Sequence, residues 1–129
     1  MSPSPRMQEL IDAACNVRKN AYVPHSGFAV GAALRTINGE IYVGCNVENQ
    51  AYGSTICAER VAITSGISAG SREFIELVVA TPGGRSPCGA CRQVLAEFCD
   101  QLEVALYDVD TGRLVSTTLR DLLPEPFVH

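Results

Sequence analysis

Two short stretches decide how this chain reads: Cys57-Ala58-Glu59-Arg60 and Pro87-Cys88-Gly89-Ala90-Cys91. Each has the pattern of a helix start. Cysteines at i and i+3 share one face of a first turn, and a helix N-terminus favours thiolate over thiol. Thiolates suit zinc, whose tetrahedral shell has four positions. Cys57, Cys88 and Cys91 fill three, which leaves one open to water, the pattern of a catalytic rather than a structural site. Glu59 stands two residues from a ligand, near enough to move protons without being a ligand itself. Together these residues outline metal-assisted hydrolysis. Standing alone, Glu59 would be an ordinary first-turn carboxylate favoured by the helix dipole. A lone Cys-x-x-Cys would be weak evidence; here it follows proline, opens an apolar helix and comes with Cys-Ala-Glu upstream.

Outward from these stretches the chain reads as one α/β domain over residues 1–129, with residues 1–6 a flexible tail. An amphipathic helix begins at Met7 and ends near Asn20, on the helical spacing of Met7, Leu10, Ile11, Ala14 and Val17. Phe28 to Thr36 reads as a strand, Asn38-Gly39 as a hairpin signal and Glu40 to Cys45 as the returning strand. A polar loop from Asn46 to Thr55 leads into a helix from Cys57 to about Gly70, apolar on most sides and rich in small residues. Phe74 to Thr81 is β-branched and apolar, a central strand; the next helix runs from about Cys88 to Cys99 with Val94, Leu95, Phe98 and Cys99 as its buried stripe. Short strands at Glu103–Tyr107 and Arg113–Thr117 follow, then a final short helix whose start at Thr118 to Asp121 has a capping pattern. Only a turn separates the last two strands, so as neighbours they run antiparallel, whereas the two middle strands are bridged by a helix and can run parallel. The expected architecture is a three-layer α/β/α domain on a mixed five-stranded sheet.

Bulk properties narrow the function. A hydrophobic content of 47% marks a folding chain, and a formal net charge of -4 favours a small-molecule substrate over nucleic acid or an anionic membrane. No apolar run approaches a membrane span, and no signal core follows the first residues, so the cytoplasm is the expected location. Six cysteines is an even count, but the chain is large enough to fold without disulfides; Cys15, Cys45 and Cys99 read as small buried hydrophobes.

Four segments then carry a family resemblance: Phe28-Ala29-Val30-Gly31-Ala32-Ala33-Leu34, Gly44-Cys45-Asn46-Val47-Glu48-Asn49, Cys57-Ala58-Glu59-Arg60 and Pro87-Cys88-Gly89-Ala90-Cys91-Arg92-Gln93. In this order the chain resembles the small cytidine deaminases that act on free nucleosides, bind zinc through three cysteines and assemble as homotetramers. The resemblance implies hydrolysis of cytidine and deoxycytidine to uridine and deoxyuridine with release of ammonia, one zinc ion per chain and a role in pyrimidine salvage. It implies that Glu59 takes a proton from water, gives it to N3 of the ring and shuttles the second to the departing amino group. It also implies that Asn46 and Glu48 bind the ribose 3′-hydroxyl, Phe28 packs against the base and Ala58 offers its backbone N–H to the base carbonyl. The resemblance further implies that Phe127, and with it Tyr52, reaches a neighbouring subunit's site.

Three thiolates over-neutralise a zinc ion, and a guanidinium bonded to ligand sulfur draws charge away again. The resemblance gives Arg60 that role; Arg92 stays open between it and a surface charge. His25 departs from the family, where tyrosine is common between the proline and serine of Pro24-His25-Ser26. Two other readings compete: a deaminase of blasticidin-type nucleoside antibiotics, and a non-catalytic zinc-stabilised binding module. The second needs a fourth protein ligand, which Cys45 could supply and Cys99, about two helical turns beyond Cys91, could not.

Overall fold

The computed structural model describes residues 2–129. Five strands, β1 (Gly31–Thr36), β2 (Ile41–Cys45), β3 (Phe74–Thr81), β4 (Glu103–Asp108) and β5 (Leu114–Thr118), form one mixed sheet in the order β2-β1-β3-β4-β5. The β3–β4 pair is parallel; the other three are antiparallel.

Alternation along the strands sends side chains to both faces. Ala33, Val78, Ala80 and Ala105 meet Leu10, Ile11 and Ala14 of helix α1 (Pro5–Arg18) on one face. Ala32, Leu34, Leu77, Val79, Val104 and Leu106 meet Ala58, Ala62 and Ile63 of α2 (Ala58–Ser68) and Leu95 of α3 (Gly89–Phe98) on the other. Helices therefore cover both faces. Helix α2 lies close on the sheet because β2 carries Gly44, where a Cβ would stand 2.5 Å from the carbonyl oxygen of Ala58. The last helix, α4 (Leu119–Leu122), starts as its sequence pattern suggests: the Thr118 hydroxyl accepts the Asp121 N–H at 3.1 Å.

Several boundaries differ from expectation for local reasons. Helix α1 begins at Pro5, because Ser4 caps it by accepting the Met7 N–H at 3.1 Å and proline suits the first turn. The loose tail thus loses Pro5 and Arg6 to the helix, and Met1 lies outside the described residues. Strand β1 begins at Gly31 rather than Phe28, because the Asn46 side chain takes the backbone groups of Phe28 and Val30 that a ladder would use. Phe98, expected inside, is 36% exposed at the end of α3, and Cys15 and Cys45 are half-buried.

Register gathers the site at one end of the sheet. Gly31 pairs with Cys45 on β2 and with Ala80 on β3, so the entry to β1, the exit of β2 and the exit of β3 coincide. Phe28, Asn46 and the loop from Thr81 to Cys88 meet there although far apart in sequence. The carboxyl ends of strands are the usual place for such sites in α/β sheets.

Candidate active site

Cys57 and Cys88 are the N-caps of α2 and α3, in extended backbone, and Cys91 lies in the first turn of α3. Both helix starts therefore aim free backbone N–H groups and positive dipole ends at the same place. The Cys57 and Cys88 sulfurs are 3.9 Å apart and those of Cys88 and Cys91 3.3 Å. All three lie within 4.8 Å of one another. Tetrahedral Zn–S bonds of about 2.3 Å put sulfurs about 3.8 Å apart, so the donor set fits a zinc ion with small adjustment. Among the described residues no fourth histidine, cysteine or carboxylate joins the group; Cys45 and Cys99 stand outside it.

Two of the thiols are shifted in opposite directions. Cys57 is lowered to about 5, chiefly by the hydrogen bond from the Cys91 thiol and also by Arg60, against the opposing effect of burial. The same Cys57–Cys91 bond, with burial, raises Cys91, which keeps its proton. A metal must displace that proton. Zinc affinity should therefore fall as pH falls, by about tenfold per pH unit for each proton displaced, when followed by chelator competition from about pH 8 to about pH 6. A pH-independent affinity would contradict this protonation pattern.

Glu59 is 5% exposed in the first turn of α2. Burial pushes its carboxyl up to about 7, against the pull of its own backbone N–H, and the negative charge on Cys57 adds to the rise. A buried acid at that value can both take and give a proton near neutrality. Arg60 donates to Cys57 Sγ at 3.5 Å and to the carbonyl of Thr55 at 3.2 Å. Arg92 does not reach sulfur: it bonds the carbonyls of Pro87 (2.8 Å) and Leu122 (2.7 Å) and Ser86 Oγ (3.0 Å). It ties the Cys88 turn to the end of α4.

A cavity of about 300 Å³ brings Phe28, Asn46, Glu48, Cys57, Ala58, Glu59 and Cys88 together. Phe127 is not among its lining residues; it is 71% exposed, held by a two-way pairing of its backbone with the Gln93 amide at 2.9 and 3.0 Å. Tyr52, 91% exposed, borders a wider groove of about 730 Å³ beside the cavity, shared with His25, Glu48, Cys57 and Cys88.

Asn46 and Glu48 carry more structure than their spacing suggests. The Asn46 amide accepts the Val30 N–H (2.9 Å) and donates to the Phe28 carbonyl (2.8 Å). Glu48 accepts the N–H groups of His25 (2.9 Å) and Ser26 (3.1 Å) and the Ser26 hydroxyl. Those bonds, the hydroxyl's first, hold its carboxyl below the ordinary value. A carboxylate accepts about four hydrogen bonds, so about one lone pair stays free for a ligand. Asn46→Ala should lower stability by about 2 kcal/mol, because two backbone groups lose their partner. Urea unfolding checks this, and an unchanged midpoint would remove Asn46 from the scaffold.

The sequence reading missed Ser26, Thr81 and Arg85. Ser26 links Glu48 to Phe28 by accepting the Phe28 N–H at 3.0 Å. Nothing in Pro82-Gly83-Gly84-Arg85-Ser86 distinguishes it from an ordinary loop, and only the register places it at the cavity.

Two helix starts presenting three thiols beside a buried carboxyl, at the end of a mixed sheet, have the make-up of a zinc-dependent hydrolase. Residues 4–106 match the cytidine and deoxycytidylate deaminase zinc-binding region. Over 124 residues the chain is 48% identical to a cytidine deaminase of Sporosarcina psychrophila, covering 94% of this chain and 90% of the relative. It is 45% identical to a probable cytidine deaminase of Dictyostelium discoideum, covering 94% and 83%. The crystal structure of a cytidine deaminase from Burkholderia pseudomallei superposes with a TM-score of 0.89 at 46% identity, covering 93% and 98% of the two chains. The chain belongs to the cytidine and deoxycytidylate deaminase family.

Proposed function

We propose that this chain hydrolyses cytidine and deoxycytidine to uridine and deoxyuridine, releasing ammonia, as a step in pyrimidine salvage. The observation that carries the reading is the three-sulfur cluster beside buried Glu59, which meets a cavity of about 300 Å³ through Cys57, Cys88 and Glu59. Cys57, Cys88 and Cys91 would hold the zinc ion, which would supply a Lewis acid that lowers the pKa of water towards neutrality.

Glu59 accepts a proton, delivers it to ring N3, and carries the second to the leaving amino group. Its burial keeps bulk water from competing for that proton. Arg60, bonded to Cys57 Sγ, withdraws charge from the ligand set. Ala58, at the start of α2, offers its free N–H to the base carbonyl. Phe28 forms the wall against the base. Asn46 and Glu48 use their remaining polar capacity on the sugar 3′-hydroxyl.

Residues 1–129 form one three-layer domain, a reading supported by the helices on both sheet faces. The exposed aromatic rings of Phe127 and Tyr52 suit a homotetramer in which neighbouring subunits complete each site. No described helix is long and apolar enough to cross a membrane.

Zinc-loaded protein incubated separately with cytidine, deoxycytidine and blasticidin S tests the activity. Falling ultraviolet absorbance and ammonia release with the two nucleosides are the expected result. Turnover of blasticidin S alone would move the chain to the antibiotic deaminases. No turnover at one zinc per chain would reject the enzyme.

A further inference from the structure

After β3 the chain passes through Pro82-Gly83-Gly84 before reaching Arg85. Gly83 and Gly84 both hold positive φ, +83° and +66°, a path that residues with a Cβ adopt only under strain. The loop is pinned to the sheet at several points. Asp108 Oδ1 accepts the Gly83 N–H at 3.0 Å, the Thr81 carbonyl accepts the Val109 N–H at 3.0 Å, and Thr81 Oγ1 accepts the Arg85 N–H at 2.7 Å. Thr81 is itself 2% exposed, so the anchor is rigid. The backbone of Arg85 is therefore fixed at the rim of the cavity.

Its side chain is used differently from those of its neighbours. Arg92 spends its donors on three named acceptors, and Arg60 Nη2 reaches Thr55 O and Cys57 Sγ. Among the described residues the Arg85 guanidinium has no hydrogen-bond acceptor and no carboxylate partner. It lies over the ring of Phe28, with Cζ 5.5 Å from the centroid. Phe28 has its carbonyl and N–H fixed by Asn46 and Ser26, but its ring has no aromatic neighbour among the described residues. Arg85 and Phe28 line the same cavity as Glu59 and Cys57.

We propose that Arg85 is a positioning residue for substrate binding: its cation–π contact with Phe28 holds the ring in the orientation that receives the base. The proposal rests on Phe28 being the base-facing wall. A cation over an aromatic face within about 6 Å is attracted by the ring quadrupole, and at an exposed site the attraction corresponds to a few-fold effect on an equilibrium. Because the contact acts on a binding wall and not on the proton carrier, it should affect KM and leave kcat alone.

A double-mutant cycle on the zinc-loaded enzyme tests this, with cytidine as substrate. Arg85→Gln should raise KM by about three- to fivefold, with kcat and the unfolding midpoint unchanged, and Arg85→Lys should restore part of the loss. Phe28→Leu should raise KM by itself, and adding Arg85→Gln to it should change nothing more. An unchanged KM in Arg85→Gln, alongside a raised KM in Phe28→Leu, rejects the role of Arg85 and leaves Phe28 as the wall. The same KM increase from Arg85→Gln in both backgrounds also rejects the proposal, since Arg85 would then meet the substrate directly. A normal KM in Phe28→Leu rejects the wall itself and the proposal with it.

Discussion

Glu59→Gln should cut kcat by about 10³- to 10⁴-fold while zinc stays bound at one ion per chain. Glutamine matches glutamate in size, so the buried slot in the first turn of α2 stays filled. It can accept and donate hydrogen bonds, but it cannot take a proton from water and pass it on. The proposed mechanism gives Glu59 two transfers in each turnover, and burial raises its carboxyl to about 7. Among the described residues no other carboxylate lines the cavity except Glu48, which accepts three hydrogen bonds from His25 and Ser26. Substrate binding depends on other groups, so KM should move far less than kcat. Steady-state kinetics with metal analysis on the same preparation decides the matter. A fully active glutamine variant with normal zinc would overturn the assignment of the proton carrier.

Cys91→Ala should abolish both metal and activity. Cys91 is completely buried in the first turn of α3, the deepest of the three cysteines. Without its sulfur, two cysteines at two helix caps remain, a bidentate set that does not retain zinc against a chelator. Zinc content should drop to under about a tenth of an ion per chain. Turnover should fall by at least about 10⁴-fold, since water returns towards its bulk acidity. Thermal unfolding should also move down, because the ion ties the start of α2 to the start of α3. Cys99→Ala is the matched control: Cys99 is buried at the end of α3 but outside the sulfur cluster. It should cost about 1 kcal/mol of stability and leave zinc and turnover intact. Full zinc occupancy in Cys91→Ala would mean that the three-sulfur centre is misassigned.

Some local features were legible in residues alone, and the reason is specific in each case. Helix starts at Cys57 and Cys88 follow from the local residue pattern, with Pro87 before the second, and such signals act within a single turn. Strand β3 falls at Phe74–Thr81 as its β-branched run suggests. The antiparallel β4–β5 pair follows from a connection too short for a crossover. Boundaries failed where a distant side chain intervened. Phe28–Val30 has strand-like composition, yet the Asn46 amide occupies its backbone and delays β1 to Gly31. Phe98 fits the apolar period of α3, yet the helix ends there, and its side chain stays partly in solvent.

By itself the sequence determined which atoms can do chemistry: three thiols, one nearby carboxyl, and the helix caps that carry them. Ligand type, residue spacing and capping are short-range properties, expressed before any distant contact forms. Only the tertiary structure decided which partners the polar side chains would meet. Arg60 found sulfur, Arg92 found the carbonyls of Pro87 and Leu122, Glu48 found Ser26, and Arg85 found the ring of Phe28. Those pairings depend on strand order and register, which bring the entry of β1 and the exits of β2 and β3 to one end of the sheet. A long side chain bonds whatever acceptor that arrangement puts within its reach, and the letters on either side of it do not contain that information.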